Sequence, residues 1–149
     1  MGYAQWIILN IFNNLQNQII QIKDVELEYG RFHKVTDKDS EISTSEISAM
    51  KIFAGHTGSI ASSGRVNSPT GTTGSIDLYY DKTKICTLYW DCPWGSRQNT
   101  FEVRDQNSVS GYWCHPGHWN RDGAIGNVEV KVSNENIVLG ADLNLEVGK

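Results

Sequence analysis

Short segments in which apolar and polar residues alternate with a period of two run through this chain, and that pattern restricts it to β structure. In residues 18–27, Ile20 and Ile22 share one face. Val25 and Leu27 take up the inward face again after a change of phase between Lys23 and Val25, which reads as a bulge or a bend. Residues 74–80, 84–90, 100–104, 126–132 and 136–147 read the same way, with Asp81, Lys82 and Thr83 forming a hairpin turn between two of them. Turn signals return about every eight to twelve residues, the spacing of a sandwich or a barrel. Helix evidence is confined to residues 40–50, where Ser and Glu at cap-like spacing, Ser45 to Ser48 included, predict one short turn. At 149 residues the chain is the size of one domain with one core, and its three prolines, Pro69, Pro93 and Pro116, fall in loops. No repeat, linker or low-complexity tract divides it, so residues 1–149 are expected to form a single all-β domain.

Charge narrows the functions open to such a domain. With 17 acidic against 13 basic residues the formal net charge is -4, which argues against any affinity built on neutralising many phosphates, of nucleic acid or of an anionic bilayer. A membrane-binding role would have to rest on specific headgroup recognition and aromatic insertion. The apolar run from Trp6 to Phe12 has no basic residue before it and no small-residue cleavage pattern after it, and it is far shorter than the ~18 residues of a membrane span. Synthesis in the cytosol without a signal peptide is the expectation. A myristoylation motif fails because Trp6 stands where Ser or Thr is required.

Candidate chemistry is sparse. Cys86, Cys92 and Cys114 make an odd count and read as small buried apolar residues rather than a disulfide framework. Cys114, His115 and His118 cluster, but a closed zinc site needs four ligands and no second pair stands at a suitable spacing. Asp37, Asp39 and Glu41 lie in a polar stretch that reads as a solvated loop, since the glycine and terminal glutamate of a calcium loop are missing. None of His33, His56, His115 and His118 sits in a motif supplying a nucleophile and an orienting acid, and there is no phosphate-cradling loop or nucleophile elbow. No catalytic residue, metal or cofactor is expected, and the chain does not read as an enzyme.

Aromatic residues are the distinctive feature. Trp90 follows the alternation of its strand and belongs in the core, whereas Trp94 stands in a turn between Pro93 and Gly95, where a large ring has little core to fill. Arg97, three residues on, offers a bidentate fork to a phosphate oxygen. Two readings stay open: a headgroup reader at a bilayer surface, or a structural Trp beside a solvated Arg.

The segments YAQW at Tyr3 to Trp6, GTTGSIDL at Gly71 to Leu78, YWDCPWGS at Tyr89 to Ser96 with Asn99 beyond, and GAIG at Gly123 to Gly126 closely resemble the aegerolysins of fungi and bacteria, a family that includes hemolysin-like proteins. DKDSE at Asp37 to Glu41 is similar too. The resemblance runs from about residue 3 to residue 132 in unbroken order. It implies a β-sandwich like that of actinoporins, binding to ceramide phosphoethanolamine or to sphingomyelin with cholesterol, and a larger perforin-like partner for pore formation. In its light Trp6 and Trp94 match aromatics of the lipid-binding surface, and Arg97 stands where relatives place a basic residue. Tyr29 replaces a Trp, Thr70 replaces a Glu that bears on cholesterol-dependent selectivity, and Ser63 replaces a Cys. The expected lipid-binding set is therefore Trp6, Tyr29, Thr70, Trp94 and Arg97, and residues 133–149 form an extension expected to add an edge strand.

Two functions follow. The first is the lipid-reading component of a cytolytic, multi-component and in some bacterial relatives insecticidal toxin, acting on target membranes after release. The second is a soluble lectin-like module for a carbohydrate or a protein, in which the same rings stack on sugar faces.

Overall fold

The computed structural model describes residues 2–135. One sheet holds, in spatial order, β10 (Trp113–Pro116), β11 (Gly126–Ser133), β1 (Trp6–Asn14), β6 (Thr57–Ser63), β3 (Arg31–Lys34) and β4 (Asp37–Ile42). The other holds β5 (Lys51–Ile52), β2 (Ile20–Tyr29), β7 (Thr72–Tyr80), β8 (Thr83–Cys92) and β9 (Thr100–Arg104). All ladders are antiparallel except β1 with β11, which run parallel.

The two sheets pack their inner faces on one another. Ile7, Leu9 and Ile11 of β1, Val128, Val130 and Val132 of β11, Ile76 and Leu78 of β7, and Leu88 and Trp90 of β8 are all buried in one cluster. Each such side chain contributes roughly 1.5–3 kcal/mol on removal from water. Trp90 meets Phe32 of the facing sheet edge-on, with ring centroids 6.2 Å apart. Here the period-two reading holds: Ile20 and Ile22 are fully buried, and the phase change falls where expected, as a register break between Lys23 and Glu26 with Asp24 at φ 50°. Residues 81–82 close the β7–β8 hairpin, with Asp81 in the left-handed region at φ 52°.

Several elements differ from the sequence reading. Residues 37–41 are not a loop: Asp37–Ile42 forms the edge strand β4, paired with β3, and its charged side chains suit an edge that must not recruit another chain. The short helix α1 (Thr44–Ser48) is capped not by Ser45 with Ser48 but by Ser43, whose hydroxyl accepts from the Glu46 N–H while the Glu46 carboxylate accepts from the Ser43 N–H. The run from Trp6 onward is a strand at the middle of its sheet, with both neighbours in place. The strand expected over 136–147 lies outside the described residues.

Cys86 and Cys114 come from opposite sheets, and their sulfurs face one another at 2.9 Å as free buried thiols. The hydrogen bond from its partner, followed by burial, pushes the Cys86 thiol far up, and burial pushes Cys92 up to about 11. Thiols held protonated in this way pack as small apolar groups. Cys114 points inward while His118 is exposed, and no group of three metal-ligating side chains gathers among the described residues.

Candidate functional site

The register of the two sheets decides which residues meet at each end of the sandwich. In one sheet Trp6 pairs with Ser63 and Ser63 with Arg31; in the other, Tyr29 pairs with Thr73, Thr73 with Asp91 and Asp91 with Thr100. Both rows lie at the same end, because the chain crosses from Tyr29 to Arg31 through Gly30 alone. Gly30 sits at φ 94°, and a Cβ there would fall 2.6 Å from the Ser63 carbonyl oxygen, so only glycine makes this crossing without displacing its neighbour.

Behind this end a buried hydrogen-bond chain links the sheets. The Trp90 indole N–H donates to Thr72 Oγ1 at 3.0 Å, Thr72 and Ser62 hydroxyls lie 2.6 Å apart, and Ser62 donates to the Arg31 carbonyl at 2.8 Å. Since the Ser62 proton is committed to Arg31, Thr72 must donate to Ser62, and the chain has one direction. Every buried member is thus satisfied, which fixes the floor on which the end loops rest.

On that floor Tyr29, Thr70, Trp94 and Arg97 line a surface cavity of about 180 Å³, together with Asp91 and Thr73. Tyr29 is 47% and Trp94 44% exposed, so both rings offer a face to solvent. Four of the five residues expected to bind lipid are therefore brought together. Trp6 is not among those lining the cavity; it stands half-buried at the same end, in the facing sheet.

Asp91 is the residue that sequence reasoning missed. Its side chain is only 16% exposed, and it accepts a 2.8 Å hydrogen bond from Thr73 through Oδ1. Its other oxygen lies 3.6 Å from Arg97 Nη1, so a fixed carboxylate holds a guanidinium that is itself 73% exposed. The available signal was its outward position in the strand, one residue beyond the inward Trp90 and next to the loop that carries Trp94 and Arg97. A cavity with an anchored anion, an exposed cation and two rings is suited to a zwitterionic group bearing both charges.

The loops themselves are locked by backbone contacts. A Cβ at Gly71 would lie 1.8 Å from the Cys92 carbonyl oxygen, and one at Gly2 would lie 1.7 Å from that of Thr70, so the amino-terminal turn, the 64–71 loop and the end of β8 touch main chain to main chain. Asn99 then ties the 93–99 loop to the β10–β11 loop, its backbone N–H donating to Arg121 O at 2.8 Å and its side chain to Asn120 O at 2.8 Å and Gly123 O at 3.1 Å.

Fold and site together define a two-sheet sandwich with a polar and aromatic cavity at one end, held open by interlocked loops. The chain belongs to the aegerolysin family, whose model matches residues 4–135. It is 39% identical over 132 residues to Asp-hemolysin of Aspergillus fumigatus, covering 88% of this chain and 94% of that one. It is 35% identical over 136 residues to ostreolysin A6 of Pleurotus ostreatus, covering 87% and 95%. Among solved structures it is similar to the RahU protein in complex with a TRIS molecule, with TM-score 0.84, 34% identity and coverage of 92% of this chain and all (100%) of that one.

Proposed function

We propose that this chain is the lipid-reading component of a membrane-acting, cytolytic system, and that the end cavity takes the headgroup of a sphingolipid. The observation that carries the reading is the convergence of Tyr29, Thr70, Asp91, Trp94 and Arg97 on one cavity whose rings are exposed. Arg97 would swing from Asp91 to the headgroup phosphate, freeing an Asp91 oxygen for the headgroup ammonium. A primary ammonium can donate to that oxygen and a quaternary one cannot, which favours ceramide phosphoethanolamine over sphingomyelin with cholesterol. Thr70 bears on the choice as a neutral side chain in the cavity wall. Trp94 and Tyr29, with Trp6 at the same end, would sit at headgroup level, where amphipathic rings are stable. Such binding needs no net positive charge, in keeping with the -4 of the chain. Membership in a family with hemolysins supports the same reading.

Piercing the bilayer is a different task. No helix among the described residues is long and apolar enough to cross a membrane. A single open sandwich inserted into lipid would leave strand edges unpaired, so a larger pore-forming protein, supplied by the same toxin system, is proposed to do the piercing. The site of action in this reading is the outer face of a target cell, an insect cell among the candidates. Sedimentation with liposomes tests the lipid claim. Vesicles containing ceramide phosphoethanolamine, or sphingomyelin with cholesterol, should carry the protein down, phosphatidylcholine alone should not, and Trp94→Ala should stay in the supernatant. Equal pelleting with every lipid, or pelleting blocked by free sugar, would favour the lectin-like alternative instead.

A further inference from the structure

A second cavity at the same end, of about 450 Å³, is formed by residues 117–122 in the β10–β11 loop. Trp119 is half-buried and held from behind by Phe101, edge-on with centroids 6.4 Å apart. The Arg121 guanidinium lies over the Trp119 ring, 4.6 Å from its centroid. Asp122 and His118 line the hollow and are exposed. The backbone is not free to collapse: Asn120 N–H donates to Ile125 O at 3.0 Å, Gly117 N–H to Glu129 O at 2.7 Å, and Asn99 supplies the bonds described above.

Two comparisons within the molecule give this loop a direction. Of the four exposed arginines, Arg65 holds Glu41, Arg97 holds Asp91 and Arg104 holds Glu102, whereas Arg121 has no carboxylate partner among the described residues. Its guanidinium rests over the Trp119 ring and is exposed, so it can still meet an outside anion. The residue types also repeat those of the first cavity: Trp94, Arg97 and Asp91 there, Trp119, Arg121 and Asp122 here. Arg97 is two residues from Asn99, at most ~7 Å of extended chain, and the Asn99 N–H bonds the Arg121 carbonyl directly, so the two sites are neighbours on one surface.

We propose that residues 117–122 form a second headgroup site, in which Arg121 takes the phosphate and Asp122 the ammonium of a zwitterionic phospholipid lying beside the one held by Trp94 and Arg97. This rests on the reading of the first cavity as a headgroup site. Engagement of two adjacent lipids makes binding depend more steeply on lipid density than one contact does, because the second contact is made at high effective concentration.

The indole N–H signals of Trp94 and Trp119 give each site its own reporter in an NMR titration of the intact chain with O-phosphoethanolamine, with inorganic phosphate as the control for a bare anion. Both indole signals should move with phosphoethanolamine. In Arg121→Gln, which removes the guanidinium from the Trp119 ring but leaves the Phe101 contact and the backbone bonds of the loop in place, the Trp119 signal should stop responding while that of Trp94 continues. Sedimentation of the same variant with vesicles of ceramide phosphoethanolamine in phosphatidylcholine should show binding weakened roughly five- to twentyfold and a shallower dependence on the mole fraction of the ceramide lipid, with Arg121→Lys intermediate. Vesicle binding by Arg121→Gln that matches the parent at every mole fraction would overturn the proposal, as would a Trp119 response to phosphate alone with no effect on vesicles. Trp94→Ala separates the two claims: if it binds vesicles normally while Arg121→Gln does not, the first reading fails and the second site stands without it.

Discussion

At the cavity end of the sandwich the connections press main chain against main chain at glycines, while at the opposite end they turn on left-handed Asx residues and are tied by asparagine hydrogen bonds, Asn13 to the Ile52 carbonyl and Asn107 to the Lys84 carbonyl. The opposite end uses Asn17, Asp81 and Asp105 in left-handed conformations, at φ 57°, 52° and 53°, which Asx residues tolerate. The cavity end uses Gly2, Gly64 and Gly71 as points where one main chain presses on another. Charge differs as well. Arg65, Arg97 and Arg121 stand in loops of the cavity end, whereas Lys82 and Lys84 flank a hairpin at the other.

The contrast should be most visible in stability. Gly71→Ala places a Cβ against the Cys92 carbonyl and should cost about 3 kcal/mol in urea denaturation, whereas Gly55→Ala, at the opposite end with open space around it and φ 84°, should cost about 1 kcal/mol. Equal losses would mean that the two ends are not held differently. Binding should divide in the same way. Trp94→Ala should weaken sphingolipid-vesicle binding roughly thirtyfold, about 2 kcal/mol, with little change in stability. Phe53→Ser, at a residue 55% exposed on the opposite end, should leave binding where it was, and a matching loss would spread the membrane contact over both ends.

Asp91→Asn sharpens the comparison within the cavity. It should reduce the preference for phosphoethanolamine over phosphocholine lipids about tenfold, or ~1.4 kcal/mol, because only the former donates to a carboxylate. An unchanged ratio would remove Asp91 from lipid choice. The smallest effect expected is on pH dependence. His33 is buried with Nδ1 2.7 Å from the Lys34 carbonyl and Nε2 without a partner among the described residues. Burial lowers its pKa from 6.5, and Arg31 and Lys38 act in the same direction against the Lys34 carbonyl and Asp37. A folded-state pKa below the unfolded one means that the unfolded chain binds the proton first. The contribution of neutral His33 is therefore complete above pH 6.5 and falls away as pH drops below it. Thermal scans from pH 7.5 to about 5 should show this decline, and His33→Asn should flatten it.

Sequence reading was most successful where structure is local. Alternation located β2, β7, β8, β9 and β11, and even the phase slip at Asp24, because burying one face of a strand imposes period two on its own residues. It failed at β4, whose run Asp-Lys-Asp-Ser-Glu carries no apolar face because an edge strand needs none. β1 shows the converse. Flanked by β11 and β6, it reads Trp-Ile-Ile-Leu-Asn-Ile-Phe, where half-buried Ile8 and Phe12 fill the second face and blur the alternation that Ile7, Leu9 and Ile11 keep. In the site, Trp94 and Arg97 were legible from a proline, a glycine and three residues of spacing. Asp91 was not, since its role depends on facing Thr73 across a ladder, and Trp119 with Arg121 went unread because their cavity exists only once Asn99 holds the loop.

From its residues alone the chain determined that it would be all-β, that Trp90 would be inside and Trp94 outside, and to which family it belongs, because periodicity, turn chemistry and motif are properties of neighbouring residues. The tertiary structure alone decided that Tyr29, Thr70, Asp91 and Arg97 share one cavity while Trp6 stands apart from it, and that a second ring with its own arginine lies alongside. Register and loop closure join residues tens of positions apart, and the free energy that selects one register over its alternatives resides in the packed sheets as a whole.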